Sequence, residues 1–487
     1  MVQNSRREFL KTSTVAGLSV MATGYGGSSV ASTSTSDDVR VAIIGLGKRG
    51  RQHLDAYLNV KGARVVALCD CDRDRVGEAA DHFKQNTSQD VAQYIDYRKL
   101  LERDDIDAVS IATPNYWHAL MTIDACRAGK HVYVEKPVCY TIWEGRKMIE
   151  AAAKYGRIVA AGFQNRSDTG LRAGIDWLHE GHLGNIISAH AIGFGGRKSI
   201  GKRDTPLQPP KSTDYNLWLG PAQDLPIMRS QFHYDWHWVW NTGNGDVGNR
   251  LAHSLDLIRW LLGDPGHASQ VLSYGGRFGW DDAGQTPNMQ FASFDLGESA
   301  AVTCEIRNLF KTPNGQERPT LHEETGGVIC ELEGGRFWGA RGGTKFFDTK
   351  GKMVREFKGD KGKTHFANFC EAVRTQDDSQ LRSPLESAYI SSCYSHLANT
   401  SYRLGIPVSP TELNREMENV SGATTPLGRF EDHLQDWKVD LNRDQWTLGP
   451  LLEFNNIDEQ FVGENSEKAN RLIRRDYREP WKVPVQV

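Results

Sequence analysis

The chain has 487 residues, 39% hydrophobic and 24% charged, with a net charge of −3 at neutral pH. That balance can bury a sizeable core, and the length suggests two or three domains. It offers no clustered basic surface, so nucleic acid is excluded as an expected partner. The eight cysteines are scattered without a CxxC pair. They are expected to be free buried thiols, with no metal site.

Residues 5–11 read Ser-Arg-Arg-Glu-Phe-Leu-Lys, followed by a mildly apolar stretch to about Ala22 and by Ser29-Val30-Ala31. This resembles a twin-arginine export signal with a small-residue cleavage site, and the stretch is too short and polar to span a membrane. Residues 1–37 are therefore read as signal and leader. The twin-arginine machinery is an expected partner, and the mature protein is expected outside the cytoplasm, exported folded.

Val39 to Ile44 is a β-branched strand signal that runs into Gly45-Leu46-Gly47-Lys48-Arg49-Gly50 and then a helical pattern. A second strand, Ala63–Cys69, ends at Asp70, 20 residues after Gly50. Strand, glycines, helix, strand and terminal acid in this order form a dinucleotide fingerprint. Gly45 allows the tight turn, Gly47 lets backbone approach a pyrophosphate, and Gly50 lets helix and strand pack closely. Lys48 and Arg49 open the helix, whose N-terminus attracts phosphate. Asp70 suits a ribose 2′-hydroxyl, which favours NAD over NADP, with Arg73 near enough to soften the preference. Strands at 108–113, 131–134 and 158–162 alternate with helices at about 118–128 and 142–155. This predicts a doubly wound parallel sheet over residues 38–163. Thr113, Pro114, Asn115, Glu135, Lys136 and Gln164 fall at strand ends, where such sheets bind ligands.

The glycine loop, Ala112-Thr113-Pro114-Asn115, His118, Gly129-Lys130-His131-Val132, Glu135-Lys136-Pro137 and Gly162-Phe163-Gln164 together resemble the Gfo/Idh/MocA oxidoreductases, over about residues 39–405. The resemblance implies a second, α+β domain with a large open, mostly antiparallel sheet (residues 164–405). It also implies that Lys136 contacts both cofactor and substrate. That family has an Asp and a His four residues apart on a helix. Here His253 matches the His, and Asn249 stands where Asp is usual, which puts a proton relay there in doubt. Asn249, His253 and Asp256 follow i, i+4, i+7 and so are expected to share one helical face.

His253 is the candidate base, because imidazole titrates near neutral pH, and Lys136 would stabilise an alkoxide. Trp236, Trp238 and Trp240 alternate as on one face of a strand, with Asp235 and His237 on the other. Such indoles suit sugar C–H faces, although a sheet core or a subunit interface would use them too. Tyr234 and Arg166 are further substrate candidates. Residues 301–358 read as strands between Gly-rich turns, and 365–404 as a long or broken helix. Residues 406–487 are expected to form an extension lying on the body or on a neighbouring subunit of a homo-oligomer. The expected activity is hydride transfer between tightly held NAD and a hydroxyl of a sugar, polyol or glycoside. The alternatives are an NAD-dependent glycoside hydrolase that oxidises, eliminates and reduces back, and a non-catalytic sugar-binding protein.

Overall fold

The computed structural model describes residues 38–297 and 300–487. The export-signal reading falls on residues 1–37, outside the described residues.

In chain order the first half contains β1 (Val39–Ile44), α1 (Lys48–Leu58), β2 (Ala63–Cys69), α2 (Arg73–Thr87), β3 (Ala92–Tyr94), α3 (Tyr97–Leu101), β4 (Ala108–Ile111), α4 (His118–Arg127), β5 (His131–Val134), α5 (Ile142–Tyr155) and β6 (Val159–Ala161). The six strands pair in the order β3-β2-β1-β4-β5-β6, all parallel. This is the doubly wound arrangement whose ligand crevice lies beyond the carboxyl ends of the strands. Both faces are covered, so β4 and β5 are buried along their whole length and β1 at every position but Arg40, without alternation.

The chain continues through α6 (Thr169–His179), β7 (Ile186–Phe194), α7 (Tyr215–Leu219), α8 (Gly245–Asn249), α9 (Ala252–Leu261), β8 (Gln270–Gly276), β9 (Met289–Asp295), β10 (Ala301–Arg307), β11 (Gly326–Leu332), β12 (Gly335–Ala340), β13 (Gly343–Asp348) and β14 (Met353–Lys358). Next come α10 (His365–Thr375) and α11 (Leu385–Arg403). The remainder is β15 (Ile406–Val408), α12 (Pro410–Met417), α13 (Thr424–Asp436), β16 (Trp446–Leu448), β17 (Leu452–Asn455), β18 (Gln460–Val462) and α14 (Ser466–Ile473). These strands build one large sheet in the order β14-β13-β12-β11-β7-β10-β9-β8-β16-β15, with β17 pairing to β8 and β18. It is antiparallel apart from the β7–β10 pair.

Helices α6, α9 and α11 cover one face of that sheet and share a core with the underside of the parallel sheet. The helix expected over 365–404 is two helices: Gln376 takes a left-handed φ of 54° and Pro384 starts the second. α10 returns to the first domain, packing Phe366 and Phe369 against Tyr57 and Leu54. Residues 406–487 join the body of their own chain. β15 and β16 extend the sheet, and α12 and α13 bury Leu413, Leu427 and Phe430 against Tyr274 and Trp446.

Candidate active site

A cleft of about 550 Å³ opens beyond the carboxyl ends of β1, β2, β4 and β5. Its floor is the glycine loop. Gly45 has φ +88°, and a Cβ there would stand 2.7 Å from the Thr113 nitrogen. A Cβ on Gly50 would lie 1.7 Å from the Gly45 carbonyl oxygen, so only glycine lets α1 start against the loop. Asp72 caps α2 and Thr141 caps α5 with their side chains, whereas α1 begins at Gly47 with no side-chain cap. The first N–H groups of α1 are thus left to face an anion, which is what a pyrophosphate requires. Asn115 adds a buried side-chain oxygen with no partner among the described residues. These features fit a dinucleotide.

Asp70 lies at the rim as expected, but its carboxylate also braces the loop. Oδ2 accepts from the Leu46 N–H at 2.6 Å and Oδ1 from the Asp72 N–H at 3.0 Å. Arg75, not Arg73, is the cation of this rim: it lines the cleft, and its guanidinium would be 2.8 Å from a Cβ on Gly47. The helical turn from Arg73 to Arg75 swings the second arginine inward.

Glu135 is the buried hub of the middle. Its Oε1 accepts from Arg49 Nε at 2.8 Å and Gln164 Nε2 at 3.0 Å, with His53 Nε2 also at 3.0 Å. Arg49 and His53 hold its pKa well below the usual carboxylate range despite burial. A Cβ on Gly162 would strike this carboxylate at 2.6 Å. His118 lies between two strand ends, with Nδ1 2.8 Å from the Pro137 oxygen and Nε2 3.0 Å from the Thr113 oxygen. It therefore braces the loops that carry Thr113 and Lys136.

Lys136 and His253 line this one cleft from the two domains. Lys136 Nζ donates to the Asn249 carbonyl oxygen and to Asn249 Oδ1 at 3.3 Å. Burial brings its pKa down to about 8, against the opposing pull of Glu135. His253 is pushed well below its ordinary value by burial and by Lys136, so it is neutral, and its buried Nδ1 has no partner among the described residues. His253 thus stands in the neutral form that a base needs, and Lys136, its pKa brought toward neutrality, is a second group able to take a proton.

Asn249 and His253 do not share a continuous helix. The N–H groups of Arg250 and Leu251 both donate to the Asp246 carbonyl, at 2.7 and 3.1 Å, which ends α8 before α9 begins. Asp256 is turned away and held by Arg166 at 2.8 Å. Arg166 also grips Asp264 at 2.6 Å and lies outside the cleft, so it is a buried structural ion pair and not a substrate ligand. The alternating tryptophans are likewise not a strand. Asp235–Trp238 is a short 3₁₀ turn entered through Tyr234 at φ +68°. The turn puts Trp236 and His237 together on the cleft wall, stacked at 3.6 Å, and Tyr234 at its mouth. Trp238 is buried behind them, where its Nε1 donates to Asp246 at 3.2 Å.

Asp246 was not anticipated. It is fully buried in a bidentate pair with Arg197 at 2.6 and 2.8 Å, and this pair holds its pKa at about 2. Asn249 Nδ2 donates to it at 3.2 Å, so a fixed negative charge stands directly behind the amide that replaces the usual acid. Its place three residues before Asn249 was the available signal. Asn244, His233 and Arg341 also line the cleft from segments whose approach no local pattern reveals.

Residues 39–163 match the family model described as oxidoreductase family, NAD-binding Rossmann fold, and residues 185–277 match the C-terminal α/β domain of the same family. The chain carries both domains of the Gfo/Idh/MocA oxidoreductase family. The first of them binds NAD. Among curated relatives, a glycosyl hydrolase family 109 protein of Saccharopolyspora erythraea is 30% identical over 264 residues, 50% of this chain and 52% of that protein. An alpha-N-acetylgalactosaminidase of Shewanella oneidensis is 39% identical over 120 residues, 24% of this chain and 26% of that protein. The chain thus spans at most about half the length of these relatives. Solved dehydrogenase structures share the fold. The WlbA dehydrogenase of Bordetella pertussis, in complex with NADH and UDP-GlcNAcA, aligns with a TM-score of 0.52 and 18% identity, covering 74% of this chain and 95% of that one. The myo-inositol dehydrogenase of Lactobacillus casei, in complex with NAD(H) and myo-inositol, aligns with a TM-score of 0.51 and 18% identity, covering 75% and 95%.

Proposed function

We propose that this chain is an NAD-dependent oxidoreductase that acts on a carbohydrate hydroxyl. The observation that carries this reading is the convergence of Lys136 and His253, from two domains, on the cleft that begins at the glycine loop. NAD, when bound, supplies the hydride acceptor. The free N–H groups of α1 and the side chains of Thr113 and Asn115 would hold it. Lys136, with a pKa of about 8, is partly unprotonated near neutrality and takes the hydroxyl proton at Nζ. The Asn249 carbonyl and amide oxygens fix Nζ in place. Neutral His253 orients the hydroxyl, and Trp236 offers an aromatic face to the sugar C–H groups.

A second reading is favoured by the curated relatives called glycosyl hydrolases: the oxidised sugar eliminates its aglycone as the alcohol, water adds across the resulting double bond, and the carbonyl is reduced in place, with no net redox change. The test uses purified protein loaded with NAD and supplied with free sugars and with glycosides. Reduced nicotinamide accumulating with a free sugar supports the dehydrogenase. Aglycone release without reduced nicotinamide supports the hydrolase, and neither signal from any substrate contradicts both. We also propose export in folded form, on the strength of Arg6-Arg7 and Ser29-Val30-Ala31. Cell fractionation with and without an Arg6→Lys/Arg7→Lys substitution tests this, and a protein that stays cytoplasmic in both forms contradicts it.

A further inference from the structure

The cleft has a roof that the first domain does not supply. Residues 211–242 cross from the large-sheet domain to the end of β2. There Thr213 bridges to Asp72, the Arg73 N–H donates to the Ser212 oxygen at 3.0 Å, and the Asp214 N–H donates to the Cys71 oxygen at 2.8 Å. The Thr213 hydroxyl adds a bond to the Asp72 carboxylate at 2.9 Å. α7 then sets Leu217 and Trp218 over the cleft. The Trp218 carbonyl accepts from the Tyr116 hydroxyl at 2.6 Å and from Trp117 Nε1 at 3.1 Å. At Gly220, with φ +48°, a Cβ would stand 2.1 Å from the Trp117 ring, so roof and wall touch.

The far end of the roof is held by the C-terminal arm. Arg478 Nε donates to the Gly220 carbonyl at 3.0 Å, Nη1 to Asn216 Oδ1 at 2.8 Å, and Nη2 to the Asn216 carbonyl at 2.8 Å. Its own N–H donates to the Pro221 carbonyl at 3.3 Å. The Asn216 carbonyl also accepts from the Gly220 N–H at 3.1 Å, so the guanidinium fork joins the α7 backbone, the Asn216 side chain and the Gly220 turn that closes the helix. Three residues on, buried Trp481 meets the Trp117 ring edge-on at 5.2 Å and carries the Arg98 guanidinium over its own ring at 4.4 Å. The arm therefore touches the roof and the cleft wall together.

We infer that Arg478 is a positioning residue for the cofactor: by fixing α7 against Trp117 it keeps the roof over the dinucleotide and slows its release. This rests on the NAD reading above. The experiment uses the full chain, NAD alone as probe, and the release rate followed by tryptophan fluorescence, to which Trp117 and Trp218 in the cleft contribute. R478A is expected to release NAD about tenfold faster, the size of a lost charged hydrogen-bond fork, with its melting temperature little changed. R478K should fall between, because an ammonium cannot reproduce the planar fork. Release unchanged in both variants overturns the inference while leaving the NAD reading intact. A wild-type protein that takes up no NAD overturns both. Should R478A not fold, R478K alone decides, since its release must still exceed that of the wild type.

Discussion

The two walls of the cleft are built differently. On the first-domain side, the turn at Gly45, the bare start of α1 and the strand-end loops present mostly backbone groups, placed by regular β-to-α connections. On the large-sheet side, Trp236, His237, Asn249 and His253 come from a 3₁₀ turn, a five-residue helix and the start of another helix, with Asn249, and Trp238 behind the turn, tied to the buried Asp246–Arg197 pair. A backbone-built wall recognises what every dinucleotide shares. A side-chain-built wall can change its substrate one residue at a time, because each group is held by its own contacts.

The comparison breaks first if Lys136 is not the pivot between the walls. K136M keeps the length and removes the amine, so turnover should fall about a thousandfold, within the usual range for loss of a positioned acid–base group, while NAD affinity changes little. Rapid-mixing kinetics alongside NAD titration checks this. Next comes Gly50→Ala, whose Cβ would collide with the Gly45 carbonyl. NAD affinity should drop by a factor of about a hundred or more through loss of the anion seat, with destabilisation of about 1–3 kcal/mol. Equilibrium binding and denaturant unfolding measure the two.

Breaking the Arg166 pair should act on stability alone. R166A leaves Asp256 buried and uncompensated, so unfolding should become easier by about 3–5 kcal/mol, with KM unchanged in the folded enzyme. A large rise in KM would return Arg166 to the substrate side.

The smallest effect sharpens the electrostatics. Because Lys136 has a folded pKa of about 8, below that of a free lysine, kcat/KM should rise with pH through about 8 as the amine loses its proton. The unfolded chain binds the extra proton between about 8 and the ordinary lysine value, so this group makes folding more favourable as pH rises through that window. Asn249→Asp places a carboxylate on Nζ and should move the kinetic inflection upward by about one unit.

The dinucleotide half was legible in the sequence because its geometry is local. The glycine spacing, Asp70 and the Glu135-Lys136-Pro137 strand end each follow from a strand that must stop and a helix that must start. Lys136 and His253 were legible only as a resemblance, and their meeting in one cleft needed the tertiary structure. Trp238 and Arg166 were misplaced for a physical reason. Alternation is evidence of a strand only where the backbone is extended, and a long charged side chain can be consumed by a partner about a hundred residues away, as Asp264 consumes Arg166. Asp246 escaped because a buried acid declares itself through its partner, and Arg197 lies on a distant loop.

The most direct test is a crystal structure of the protein with NAD bound. The account predicts the dinucleotide under the roof of α7, with its pyrophosphate on the N-terminus of α1 and its nicotinamide ring beside both Lys136 and His253. A nicotinamide directed away from these two side chains, or density for the dinucleotide outside the cleft, would contradict it.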